Sequence, residues 1–109
     1  MNKHISYKLD QLFVEDVAVS EITSNLRTPF YVYSRTSIKD NFDRFTRSLK
    51  GLDSIICYSV KANSNLSVLE TIAKLRGGAD VVSLGEYHRA LKAGCLLYTS
   101  DAADEKRCV

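Results

Sequence analysis

From residue 28 onward the chain alternates between short apolar runs and apolar positions at helical spacing. Phe30, Tyr31, Val32 and Tyr33 form an aromatic and β-branched run just after Thr28-Pro29, a turn signal that pushes the residue before proline out of helical geometry. Residues 30–33 are therefore expected to be a strand. Ile38, Phe42, Phe45 and Leu49 follow at steps of four, three and four, one stripe of a helical period. They predict a helix over 36–49, with Ser34, Thr36 and Ser37 as N-cap candidates and Gly51 as its stop. Residues 54–60 (SIICYSV) are short and nearly continuously apolar, which favours a strand buried on both faces, as in a parallel sheet.

Leu66, Leu69, Ile72, Ala73 and Leu75 predict a helix over 66–76, ended by Gly77-Gly78. Residues 80–82 read as a further short strand. Ser83 and Glu86 then fit a capping box, opening a helix that turns Tyr87, Ala90 and Leu91 inward and ends at Gly94. Upstream the pattern is weaker, with a short strand expected near 11–14 and a short helix near 19–26. Strand and helix thus alternate three times, which implies parallel strands with right-handed crossovers and an α/β fold.

Composition narrows the function without naming it. A chain of 109 residues suffices for one small domain, and 45% hydrophobic with 26% charged residues is ordinary for a soluble globular protein. The net charge of +2, with bases interleaved among acids as in Lys39-Asp40 and Asp43-Arg44, reads as a solvated face, so no nucleic-acid partner is expected. No apolar run approaches the roughly 20 residues that span a bilayer, so no membrane partner is expected either. Residues 1–10 lack the apolar stretch of a secretory signal. Three cysteines without a pairing pattern, Cys57 among them as a small buried hydrophobe, point to the cytoplasm.

The richest chemistry lies in Tyr58-Ser59-Val60-Lys61-Ala62-Asn63, where a lysine directly follows the expected buried strand. In a parallel barrel, catalytic groups gather at the carboxyl ends of the strands. A partly desolvated lysine there has its ammonium form disfavoured and its amine available to condense with a carbonyl. Ser59 and Ala62 are small enough to leave room for a flat ring. Position alone does not decide the matter, because most strand-end lysines are simply solvated.

Three strings in register change that weighting: residues 28–33 (TPFYVY), 58–63 (YSVKAN) and 78–86 (GADVVSLGE), followed by 89–94 (RALKAG). Together with the opening Tyr7-Lys8 and residues 12–16 (LFVED), they resemble the fold-type-III, pyridoxal-phosphate-dependent decarboxylases of ornithine, diaminopimelate and arginine. The resemblance covers residues 7–94. It implies a TIM-like (β/α)8 barrel of the alanine racemase-like fold, incomplete here. Residues 1–27 would pack on a C-terminal β-domain and 28–94 would be the first βα units of the barrel. It also implies pyridoxal 5'-phosphate as cofactor, held covalently by Lys61, with Ser59, Asp80 and Glu86 in the same cofactor-binding mouth. Asp80 stays open to reading as a plain strand-edge acid, and Glu86 as the capping residue already described. Leu84 and Ser59 depart from the glycine and alanine common in relatives.

The implied reaction is decarboxylation of a small-molecule amino acid, meso-2,6-diaminopimelate to L-lysine, by a homodimer. Alternatives are another basic amino acid or carboxynorspermidine as substrate, or a non-catalytic pyridoxal-phosphate-binding barrel. After Gly94 the string CLLYTSDAADE fits neither that family nor a helix or strand period. It matches one translated frame of a transposase sequencing adapter, so residues 95–109 are expected to be adapter-derived. In such enzymes the phosphate-binding glycine loop, the acid facing the pyridine nitrogen and the C-terminal domain all lie beyond Gly94. The 109-residue chain itself is therefore expected to be inactive.

Overall fold

The computed structural model describes residues 3–99, which divide into two compact units between Asn41 and Phe42. The first unit opens with a three-stranded antiparallel meander, β1 (Ile5–Lys8), β2 (Gln11–Val14) and β3 (Val17–Ala18). Ile5 pairs with Val14 and Lys8 with Gln11, so β1 and β2 are joined by the two-residue turn Leu9-Asp10. Both turn residues have positive φ, 48° and 62°, as hairpins of this length require to match strand twist. Only β2 was expected from the sequence, because Leu9-Asp10 lacks the glycine that usually announces such a turn. Helix α1 (Val19–Asn25) leaves β3 directly, close to the expected span.

Helix α2 (Arg35–Ser48) starts in the first unit and ends in the second. Of the three cap candidates, Ser34 serves: its Oγ accepts from the Ser37 amide at 2.9 Å and donates to Glu15 Oε1 at 2.7 Å. Gly51 follows the helix with φ of 88°. Two expectations fail here. Residues 30–33 join no ladder, since β-branched and aromatic content describes fitness for a pleated surface and no partner strand is supplied among the described residues. Within the apolar stripe Ile38, Phe42 and Leu49 are half-buried, whereas Phe45 is 54% exposed.

The second unit is a parallel sheet in the order β4-β5-β6, built from β4 (Cys57–Ser59), β5 (Gly78–Val81) and β6 (Leu96–Thr99). A single 3-10 turn, Val60–Ala62, leads from β4 towards helix α3 (Leu66–Lys74), and α4 (Leu84–Ala93) links β5 to β6. Parallel register places Tyr58 opposite Ala79, and Ala79 opposite Leu97. These residues share the face that packs on Val60, Leu69, Ala90 and Cys95, the core between sheet and helices.

β4 is shorter than the expected 54–60 and only half-buried. Ser54 and Ile55 precede the ladder and are exposed, Val60 leaves it for the turn, and the described helices cover one face only. β5 begins earlier than expected, at Gly78, because register with Cys57 recruits two small residues of weak strand preference. Helix α3 stops before its expected end at a left-handed Arg76 (φ 64°), not at a glycine. Gly77 is needed for space: a Cβ there would lie 2.7 Å from Ile72 Cγ2 and 2.9 Å from Phe42 Cε2. After α4, Gly94 takes the left-handed cap with φ of 85°, as expected. The expectation that the following string fits no strand is corrected, because β5 offers an open ladder that Leu96–Thr99 joins and Cys95 is buried in the core.

Candidate active site at the carboxyl end of the parallel sheet

Side chains alternate along a strand, so the face opposite the core is set by register. Cys57 pairs with Gly78 and Ser59 with Asp80, which puts Ser59 and Asp80 side by side on that face. Cys57 lies on the same face; burial, and next the nearby Asp80 carboxylate, push its thiol up from the ordinary range. The chain then leaves β4 at its carboxyl end through Val60–Ala62, with Val60 fully buried as an anchor and Lys61 at the centre of the turn. Lys61 is exposed and makes no hydrogen bond or ion pair among the described residues. The expectation of a partly desolvated amine is thus corrected, since the three strands leave this rim open.

Asp80 Oδ1 is buried and has no hydrogen-bond partner among the described residues. Leaving such an acceptor unmet costs about 1–3 kcal/mol, and native structures keep it where a ligand or other donor completes it. Lys61, Ser59 and Asp80 therefore lie at the same carboxyl end of the sheet: an unpaired lysine in the turn that leaves β4, and a small hydroxyl beside an unpartnered carboxylate oxygen on neighbouring strands. Gly78, in the same register layer as Cys57, leaves the face beneath them low. Such a set suits a planar ligand bearing a carbonyl for the amine and a hydroxyl or N–H for the carboxylate.

Glu86 lies at the same end of the sheet and is engaged by its own helix. Its Oε2 accepts from the Val82 amide at 2.8 Å, while Ser83 Oγ accepts from the Glu86 amide at 3.2 Å. The box differs from the usual one in reaching back to Val82, one residue before the cap.

Three residues around Lys61 were missed by sequence reasoning. Tyr58 Oη donates to the Asn63 carbonyl at 3.0 Å, Asn63 Oδ1 accepts from the Asn65 amide at 3.0 Å, and Arg89 Nη1 donates to the Ser64 carbonyl at 3.2 Å. Asn65 Oδ1 in turn accepts from the Ser67 amide at 2.9 Å and caps α3. Side-chain bonds to loop carbonyls leave no periodic trace, so only the presence of polar residues near the lysine could have hinted at them. Among the described residues no group of histidine, cysteine and carboxylate side chains is arranged to hold a metal.

Residues 35–101 match the family described as pyridoxal-dependent decarboxylase, pyridoxal binding domain. The match runs past Gly94, which further corrects the expectation that the string after it departs from the family. Diaminopimelate decarboxylase of Pseudomonas aeruginosa is 46% identical over 89 residues, 82% of this chain and 21% of that protein. The structure of diaminopimelate decarboxylase from Helicobacter pylori complexed with L-lysine superposes with a TM-score of 0.67 at 49% identity, covering 71% of this chain and 20% of that one. That of the M. jannaschii enzyme in co-complex with L-lysine gives 0.75 at 35% identity, covering 84% and 23%. The chain spans about a fifth of the length of the curated relatives it matches. On this match, and with Lys61 standing at the carboxyl end of a parallel sheet, the chain belongs to the pyridoxal-dependent decarboxylase family and carries sequence of its pyridoxal-binding domain.

Proposed function

We propose that this chain is the cofactor-lysine portion of an enzyme that decarboxylates meso-2,6-diaminopimelate to L-lysine with pyridoxal 5'-phosphate. The observation that carries the reading is the place of an unpaired Lys61 in the turn leaving β4, at the same carboxyl end of the parallel sheet as the unpartnered Asp80 Oδ1 of β5. The relatives named diaminopimelate decarboxylase support the choice of substrate. In this reading residues 28–94 begin a (β/α)8 barrel and residues 1–27 pack on a C-terminal β-domain. The intact enzyme is a cytoplasmic homodimer.

The residues present fit the cofactor. Lys61 Nζ would bond to its aldehyde carbon, Asp80 Oδ1 would accept from a donor on it, and Ser59 would flank it without crowding. Glu86 would line the mouth while holding the Val82 amide. When bound, pyridoxal phosphate supplies a sink for the electron pair left at the α-carbon as carbon dioxide departs. Lys61 Nζ would also be placed to hold and deliver a proton at the rim. Full-length gene product loaded with pyridoxal phosphate should release carbon dioxide from meso-diaminopimelate, with L-lysine appearing in equal amount. Release from ornithine, arginine or carboxynorspermidine instead would overturn the substrate, and no release from any of them would overturn the enzyme reading.

A further inference from the structure

We infer that Tyr58 and Arg89 are positioning residues that fix the turn carrying Lys61, and so set the pose from which its amine meets an aldehyde. The inference rests on the reading of Lys61 given above. A lysine stem is flexible and its amine is here unpaired, so the backbone beneath decides where the nitrogen can reach. That backbone is a single 3-10 turn, whose internal bonds have poor geometry, and Ser59 supplies no side-chain bond to cap it. Bonds from outside hold it. Tyr58 Oη reaches from β4 to the Asn63 carbonyl at 3.0 Å, closing the chain around Lys61. Its ring is half-buried against the sheet–helix core, which fixes the origin of that bond. Arg89 reaches from α4 to the Ser64 carbonyl at 3.2 Å, tying the same loop to a second element. The lysine turn is thereby referred to both the strand behind it and the helix that follows β5.

Reaction rate at an amine depends steeply on approach geometry, and small misplacements cost about tenfold or more. The test uses full-length protein stripped of cofactor, with Tyr58→Phe, Arg89→Met and Arg89→Lys variants. The rate of forming the borohydride-reducible lysine linkage is followed by absorbance after adding pyridoxal phosphate, together with the pH at which the linkage titrates and the melting of the cofactor-free protein. Tyr58→Phe and Arg89→Met should each slow linkage formation about tenfold and shift its titration, with melting unchanged, and Arg89→Lys should recover part of the rate. Unchanged rate and titration, or losses that track melting, would overturn the inference. Peptide mapping of the reduced wild-type protein separates the two proposals. A label on another lysine sinks the reading of Lys61, whereas a label on Lys61 with unaffected variants sinks only the positioning role.

Discussion

Leu9 and Asp10 hold the β1–β2 turn in the left-handed region, with Leu9 99% exposed. That conformation costs an ordinary L-residue about 1–2 kcal/mol, and leucine brings no local side-chain bond to offset it. Replacing the pair with Asn-Gly should stabilise the hairpin by about 1 kcal/mol, seen as slower amide exchange across Ile5–Lys8 and Gln11–Val14. Exchange that is equal or faster would mean the turn is not held as described. Gly77 is the opposite case, where Ile72 and Phe42 leave no room for a Cβ. Gly77→Ala should destabilise by about 1–3 kcal/mol in urea unfolding, because the Ile72 methyl and the Phe42 ring must move together. At this scale the place of Lys61 just beyond a strand was legible, since it follows an apolar run. Tyr58 and Arg89 were not, because their partners are main-chain carbonyls at Asn63 and Ser64 that only the folded turn brings within reach.

Helix α2 begins with a shared cap. Ser34 Oγ accepts from the Ser37 amide, and Glu15 Oε1, presented from the β2–β3 turn, accepts from Ser34 Oγ and from the Thr36 amide at 2.9 Å. Ser34→Ala removes both bonds of the buried hydroxyl and should cost about 1–2 kcal/mol of unfolding free energy. The same contacts give the first unit an acid sensitivity. The Ser34 hydroxyl and then the Thr36 amide hold the Glu15 carboxyl below its ordinary range. Lys3 and then His4, each 2.8 Å away, hold Asp40 at about 2, against an ordinary 3.8. Groups with depressed values stabilise the fold above their unfolded values and lose that contribution as pH falls through the folded ones. Exchange of the β1–β3 amides should therefore accelerate between about pH 4 and about pH 2, and Asp40→Asn should flatten that rise; a flat wild-type profile would remove the contacts from the account. Elements whose periodicity ran long, such as α2 and α4, were legible nearly to the residue. The short strands were not: register with a neighbour, which sequence does not display, set the limits of β4 and β5 and admitted β6. Residues 30–33 show the reverse, strand-like content without a ladder.

At the scale of the molecule, the parallel sheet is packed by helices on one face, while the other carries Cys57, Ser59, Gly78 and Asp80. A (β/α)8 barrel takes about 250 residues, and this chain spans about a fifth of the length of its relatives. On the proposed account the 109-residue chain alone should release no carbon dioxide from diaminopimelate, and measurable turnover would refute that. The α/β class was legible because alternation of strand and helix survives in any length of such a chain. The open rim around Lys61 was not, because solvation there depends on elements that do not pack beside these strands among the described residues. The central claim is that Lys61 holds the cofactor. Its most direct test is to load the full-length gene product with pyridoxal phosphate, reduce with borohydride and locate the phosphopyridoxyl group by peptide mass mapping. The account predicts the label on Lys61 alone, absent from Lys61→Ala; a label on another lysine, or the same label yield after that substitution, would contradict it.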